Sequence, residues 1–172
     1  MHLKRHTLLS ALAALPAAAG AQAATPDDLR SKLLGAWRLL DAVTVKGDGQ
    51  LTPWEGRPGP YAGAILYAPS GLMSAQIASR RGTAAPGSDL AAAPAQDRLG
   101  FLDSYYAYFG RFEVDEANSE IHHHITASLD PDETGLVYRR KVSLAGDRLT
   151  LTTMNDPNSH GASFNRLTWE RA

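Results

Sequence analysis

From residue 35 onward the chain alternates apolar and polar side chains in short runs, the period-two pattern of half-buried β-strands. In the run 35–45, Trp37, Leu39, Val43 and Val45 share one face with Asp41, and Arg38 and Thr44 take the other. Gly47-Asp48-Gly49 ends that run, and residues 50–61, with Pro53, Pro58 and Pro60, read as a loop. The next two strands flank Ala68-Pro69-Ser70-Gly71, where proline suits the second position of a type I turn and Gly71 the left-handed position after it. A three-residue loop there sets Tyr67 against Met73 and Ile65 against Ala75, which gathers Ile65, Tyr67, Met73, Ala75 and Ile77 on one face. The alternative register would turn Ser74 and Gln76 inward.

Further strands are expected over 105–115, 120–127, 136–144 and 163–171, with another between the last two. The turn Glu116-Ala117-Asn118-Ser119 pairs Val114 with Ile121 and Phe112 with His123. A turn at Ala145-Gly146 sets Val142 against Leu149 and Arg140 against Leu151, and the last run aligns Leu167, Trp169 and Arg171. Short helices fit residues 27–34 and 95–103, the second near the barrel mouth. The stretch from Ser79 to Pro94, rich in Ala, Gly, Pro and Arg, is either a lid beside that mouth or a solvated loop. Seven or eight short strands without a long amphipathic helix argue for an antiparallel sandwich or barrel. In an eight-stranded up-and-down barrel the first and last strands are neighbours, and Arg171 falls over the indole of Trp37.

Several motifs carry a family resemblance: Gly35-Ala36-Trp37 on the first strand, Arg171 after the last, Tyr67-Ala68-Pro69-Ser70-Gly71, Tyr108-Phe109-Gly110-Arg111-Phe112, His123-His124 and Gly146-Asp147-Arg148-Leu149. Together they resemble the calycin superfamily and, more closely, the bacterial lipocalin-like domain family. The resemblance implies an all-β, antiparallel eight-stranded calycin barrel with an internal pocket, in which Gly35, Trp37 and Arg171 are structural. It implies no particular activity; some calycins bind apolar molecules, and some barrel relatives catalyse isomerisation or cyclisation. The C-terminal helix and disulfides of larger lipocalins have no counterpart here.

The first residues read as an export signal. Lys4 and Arg5 form a basic start, Leu8 to Leu15 an apolar run too short to span a bilayer, and Ala21-Gln22-Ala23 a small-residue cleavage box. Residues 1–23 are therefore assigned to a signal peptide and 24–172 to the barrel domain, in a periplasmic or secreted protein. The chain has no cysteine, so no disulfide contributes to its stability. Removing the leader takes the formal net charge from −1 to about −3. No strong basic field remains for nucleic acid, and no membrane insertion is expected after cleavage.

Two residues carry most of the functional information. Arg140 and His123 occupy inward parities among apolar neighbours, where a guanidinium needs an acceptor. That acceptor is either Asp41, which shares the inward parity of its strand, or an oxygen of a ligand. His123 beside Phe112 is a satisfied core histidine, a donor to a carbonyl, or a proton shuttle. Tyr106, Tyr108 and Tyr138 share the inward parity and would line an aromatic pocket with polar tips, or form plain core. His122 and His124 share the opposite face and, with His160, offer imidazoles for a metal, although a solvated strand face accounts for them equally. No cofactor motif, nucleophile elbow or phosphate loop is present. These residues predict a protein that binds a small apolar or aromatic molecule bearing a polar or anionic group. A cofactor-free isomerase or cyclase, with His123 moving the proton, is the alternative, and a periplasmic metal-binding protein a third.

Overall fold

A computed structural model describes residues 28–79, 89, 91–153 and 163–172. The expected export signal, most of the excursion after Ser79 and the loop carrying His160 lie outside these residues. Helix α1 (Leu29–Leu33) leads into β1 (Gly35–Val45), followed by β2 (Leu51–Pro53), β3 (Ala62–Tyr67), β4 (Leu72–Ala78), α2 (Ala95–Asp103), β5 (Tyr105–Asp115), β6 (Glu120–Ser128), β7 (Val137–Ala145), β8 (Arg148–Thr153) and β9 (Phe164–Arg171). Consecutive strands pair antiparallel from β3 to β9, and β1 joins β3 on one side and β9 on the other, closing the sheet. The three residues of β2 pair only with the end of β1, so the barrel has eight staves.

The strand registers follow from side-chain parity and turn geometry. Tyr67 opposes Met73 and Ile65 opposes Ala75 across the turn at Gly71, and Phe112 opposes His123 as Val114 opposes Ile121. The β7–β8 hairpin differs from expectation. Its turn is Gly146-Asp147, so Val142 opposes Leu151, Leu144 opposes Leu149, and Arg140 opposes Thr153. A slip of two residues preserves parity, and the inward set of β7 is unchanged.

Asp41 requires a larger correction. The β1–β9 register shifts between Leu39 and Asp41, and this bulge reverses the parity of the rest of the strand. Ala42 and Thr44 are buried, while Asp41 is exposed. The carboxylate therefore faces solvent and is no partner for Arg140.

A second shift, between Phe109 and Gly110, brings β5 against β6 so closely that a Cβ on Gly110 would lie 1.9 Å from the carbonyl oxygen of His124. Backbone cannot yield to that overlap without opening the ladder. Gly110→Ala should lower unfolding free energy by about 3 kcal/mol, the upper end of overpacking costs, as read by urea denaturation.

One end of the barrel is sealed by its own termini. Trp37 is fully buried, and its indole N–H donates to the carbonyl of Leu33 at 2.8 Å. Arg171 lies opposite Trp37 with its guanidinium 4.2 Å from the ring centroid. The same guanidinium donates to the carbonyls of Lys32 and Leu34 at 2.7 and 3.1 Å, satisfying the last turn of α1. Gly35 enters β1 at φ +117°, a conformation open to glycine. At the other end, Arg57 Nε donates to the carbonyl of Asp103 at 3.0 Å, which ties the segment after β2 to α2. Among the described residues, no helix is long and apolar enough to cross a membrane.

Candidate functional site

The interior above the sealed end is not filled. It holds a cavity of about 620 Å³, within the usual size range of small-molecule sites. Ile65, Ala75, Ile77, Leu151, Leu167 and Trp169 supply apolar wall, Trp54, Tyr106, Tyr108 and Tyr138 aromatic wall, and His123 and Arg140 polar groups. Five residues that sequence parity turned inward, Tyr106, Tyr108, His123, Tyr138 and Arg140, thus meet around one space.

His123 is fully buried and engaged at both nitrogens. Nε2 lies 2.9 Å from the hydroxyl of Tyr67, and Nδ1 lies 2.8 Å from that of Tyr108. Burial, reinforced by the positive charge of Arg140, holds its pKa well below the usual histidine value, so the ring is neutral. Burial likewise raises the pKa of both tyrosines, and the hydroxyls stay protonated.

Arg140 reaches the cavity from β7, half-buried, with its guanidinium 4.9 Å from the Tyr138 ring centroid, and its positive charge opposes the burial that raises the Tyr108 pKa. Among the described residues, ion pairs engage Arg38, Arg57, Arg139, Arg171 and Lys141, but no carboxylate is paired with Arg140. Glu133 lies on the same wall, but its carboxylate is held by the hydroxyls of Tyr106 and Ser128.

The barrel and its cavity agree with a comparison of sequences: the model of the lipocalin-like domain matches residues 34–172. The chain belongs to the lipocalin-like domain family. A crystal structure of a mutant of the fluorescent protein UnaG is similar at 13% identity and a TM-score of 0.37, over 82% of this chain and 96% of that one. No curated protein matches.

Other expected residues of this lipocalin-like domain lie away from the cavity wall. Phe112 packs beneath it, 4.9 Å from the Tyr67 ring and covered by Arg30 at 4.7 Å, and Asp41 stands outside the barrel. Sequence reasoning did not assign several wall residues to the site, among them Trp54, Glu133 and Trp169. Trp54, in the proline-rich segment read as a loop, is buried with its ring 5.5 Å from that of Tyr106; a tryptophan amid prolines was the available signal. Glu133, passed over in an acidic turn, accepts from Tyr106 Oη at 3.1 Å and Ser128 Oγ at 2.6 Å. Trp169, whose inward parity was legible, has an indole N–H with no partner among the described residues.

On the outer face, His122 and His124 turn to different carboxylates. His122 Nε2 lies 3.4 Å from Glu120 and His124 Nε2 lies 3.3 Å from Glu113. Asp115, Glu120 and His122 bring ligand atoms within 4.8 Å of one another. Glu120, however, is already held by Arg139 at 2.7 Å and Lys141 at 3.8 Å.

The buried imidazole makes stability depend on pH. Its folded pKa is depressed, so below about pH 6.5 the unfolded chain takes up a proton that the folded chain refuses. Stability is therefore lost as pH falls through that value, by up to about 1.4 kcal/mol per pH unit. The depressed carboxylates of Asp28, Asp115 and Glu120 act with the same sign only in the more acidic carboxylate range. Thermal melts from pH 7.5 to 5 should show the slope, and His123→Gln should flatten it.

Proposed function

We propose that this lipocalin-like domain is an exported binding protein that holds a small molecule with an apolar or aromatic body and a polar or anionic group inside the barrel. The observation that carries this reading is the cavity of about 620 Å³ with Arg140 on its wall and, among the described residues, no carboxylate paired with it. A folded barrel retains such a cation at a cost in desolvation, and a ligand oxygen offsets that cost. N-phenyl-1-naphthylamine, a neutral aromatic fluorophore, tests the chamber: one equivalent should bind saturably, and Ala75→Trp, which fills the wall, should abolish binding. Absence of saturable one-to-one binding would sink the reading.

A cofactor-free isomerase or cyclase in the same chamber would require His123 to exchange protons with a substrate. Both ring nitrogens are engaged by tyrosine hydroxyls, so a proton would reach the cavity only through Tyr108. That constraint favours binding over direct shuttling by His123. For export, the basic, apolar and small-residue order of residues 1–23 supports cleavage after Ala23. Intact mass of the protein recovered outside the cytoplasm should correspond to a chain beginning at Ala24; a product retaining Met1 would overturn the processing step.

A further inference from the structure

The hydrogen-bonded chain through His123 has a direction, and its direction determines what the cavity offers. A neutral imidazole has one N–H and one lone pair. Suppose the Tyr108 hydroxyl donates to Nδ1 and Nε2–H donates to Tyr67. The Tyr67 proton then has no acceptor, because among the described residues Tyr67 Oη meets only His123, and the side chain is 1% exposed. A buried donor left unsatisfied carries its whole desolvation penalty. In the opposite direction Tyr67 donates to Nε2, and Nδ1–H donates to Tyr108 Oη. The positive charge of Arg140 acts on the same hydroxyl. The three protein groups of the chain are then satisfied, and one proton remains, that of Tyr108, on the cavity wall.

We infer that the chain runs from Tyr67 through His123 to Tyr108, so that the Tyr108 O–H and the Arg140 guanidinium together receive an oxyanion on an apolar aromatic ligand. The inference rests on the binding function proposed above and narrows its ligand class. An oxyanion accepts from both groups and neutralises the guanidinium, while Glu133 on the same wall is already held by the hydroxyls of Tyr106 and Ser128. Tyr67 itself does not line the cavity, which makes it a positioning residue that acts on the ligand only through the tautomer of His123.

Two fluorophores with the same aromatic skeleton separate the possibilities: 8-anilino-1-naphthalenesulfonate carries an oxyanion, and N-phenyl-1-naphthylamine does not. The parent protein should bind the sulfonate at least about tenfold more tightly, the equivalent of one charge-assisted hydrogen bond. Tyr108→Phe should remove most of that preference. Tyr67→Phe should reduce it as well, because without the Tyr67 donor the imidazole can flip and take the Tyr108 proton for itself. Far-UV circular dichroism and a cooperative thermal melt check that each variant is folded, and the readout is the ratio of the two affinities within each protein. Nitrogen chemical shifts of His123 in the parent should report the Nδ1–H tautomer, a readout independent of any variant. The Nε2–H tautomer, or equal affinity for the two probes, overturns the inference while binding of the neutral probe leaves the small-molecule function standing. Saturation by neither probe removes that function and the inference with it.

Discussion

Arg140→Met is expected to fold at least as stably as the parent and to lose about 2–5 kcal/mol of affinity for an anionic ligand, the usual result of truncating one member of a buried charged pair. The methionine side chain replaces the apolar stem of the arginine and leaves the cation out. No carboxylate is stranded by the change, since Asp41 is exposed on the outer face and no described carboxylate pairs with Arg140. Tyr108 keeps its bond to His123, so no hydroxyl is orphaned either. The stacking of the guanidinium on Tyr138 is lost, but at a half-buried site that is about 0.5–1 kcal/mol, comparable with the desolvation relieved. The positive charge also helps to hold the His123 pKa down, so the variant should retain a shallower acid dependence below pH 6.5. Thermal melts together with titration of 8-anilino-1-naphthalenesulfonate decide the matter, with Asp41→Asn as a control expected to change neither. Lowered stability with unaltered affinity would make Arg140 a structural residue and remove the ligand from the argument.

What sequence could and could not convey about this site follows from the range of the interactions involved. Strand parity is local, and it correctly turned His123, Arg140 and three tyrosines inward. Turn chemistry is local too, and Pro69 and Gly71 set the register that places Ile65 opposite Ala75. The bulge at Leu40 leaves no mark in composition, because the run Leu39-Leu40-Asp41 reads equally well as unbroken alternation; one inserted residue moved Asp41 from the interior to solvent. The pairing of Tyr67 with His123 spans 56 residues, and the contact of Glu133 with Tyr106 spans 27. Such contacts exist only once the sheet has closed and side chains cross the lumen. Trp54 belongs with them, since its burial depends on packing against Tyr61 and Tyr106 rather than on any strand period of its own.

Trp37→Ala should destabilise the domain by about 3–5 kcal/mol, the range for deleting a fully packed aromatic side chain, and lower the melting temperature by on the order of 10 °C for a chain of this size. The indole fills the sealed end, carries the bond to the Leu33 carbonyl and supports Arg171. Its loss leaves a cavity, an orphaned carbonyl and an α1 helix detached from one of its two anchors. Trp37→Phe separates these contributions: the ring remains and the N–H donor goes, so the cost should fall to about 1–3 kcal/mol, that of leaving a buried acceptor unpaired together with a partial void. Arg171→Ala should cost less than Trp37→Ala, because the guanidinium is partly exposed and water can take its place on the carbonyls of Lys32 and Leu34; the cation–π contact contributes only about 0.5–2 kcal/mol. The order Trp37→Ala, Trp37→Phe, Arg171→Ala in melting temperature is the signature of a barrel closed by its first and last strands. Should Trp37→Ala melt with the parent, β1 and β9 do not form a packed seal, and the chamber behind them would be open at both ends, too wet to hold the bare charge of Arg140 for a ligand.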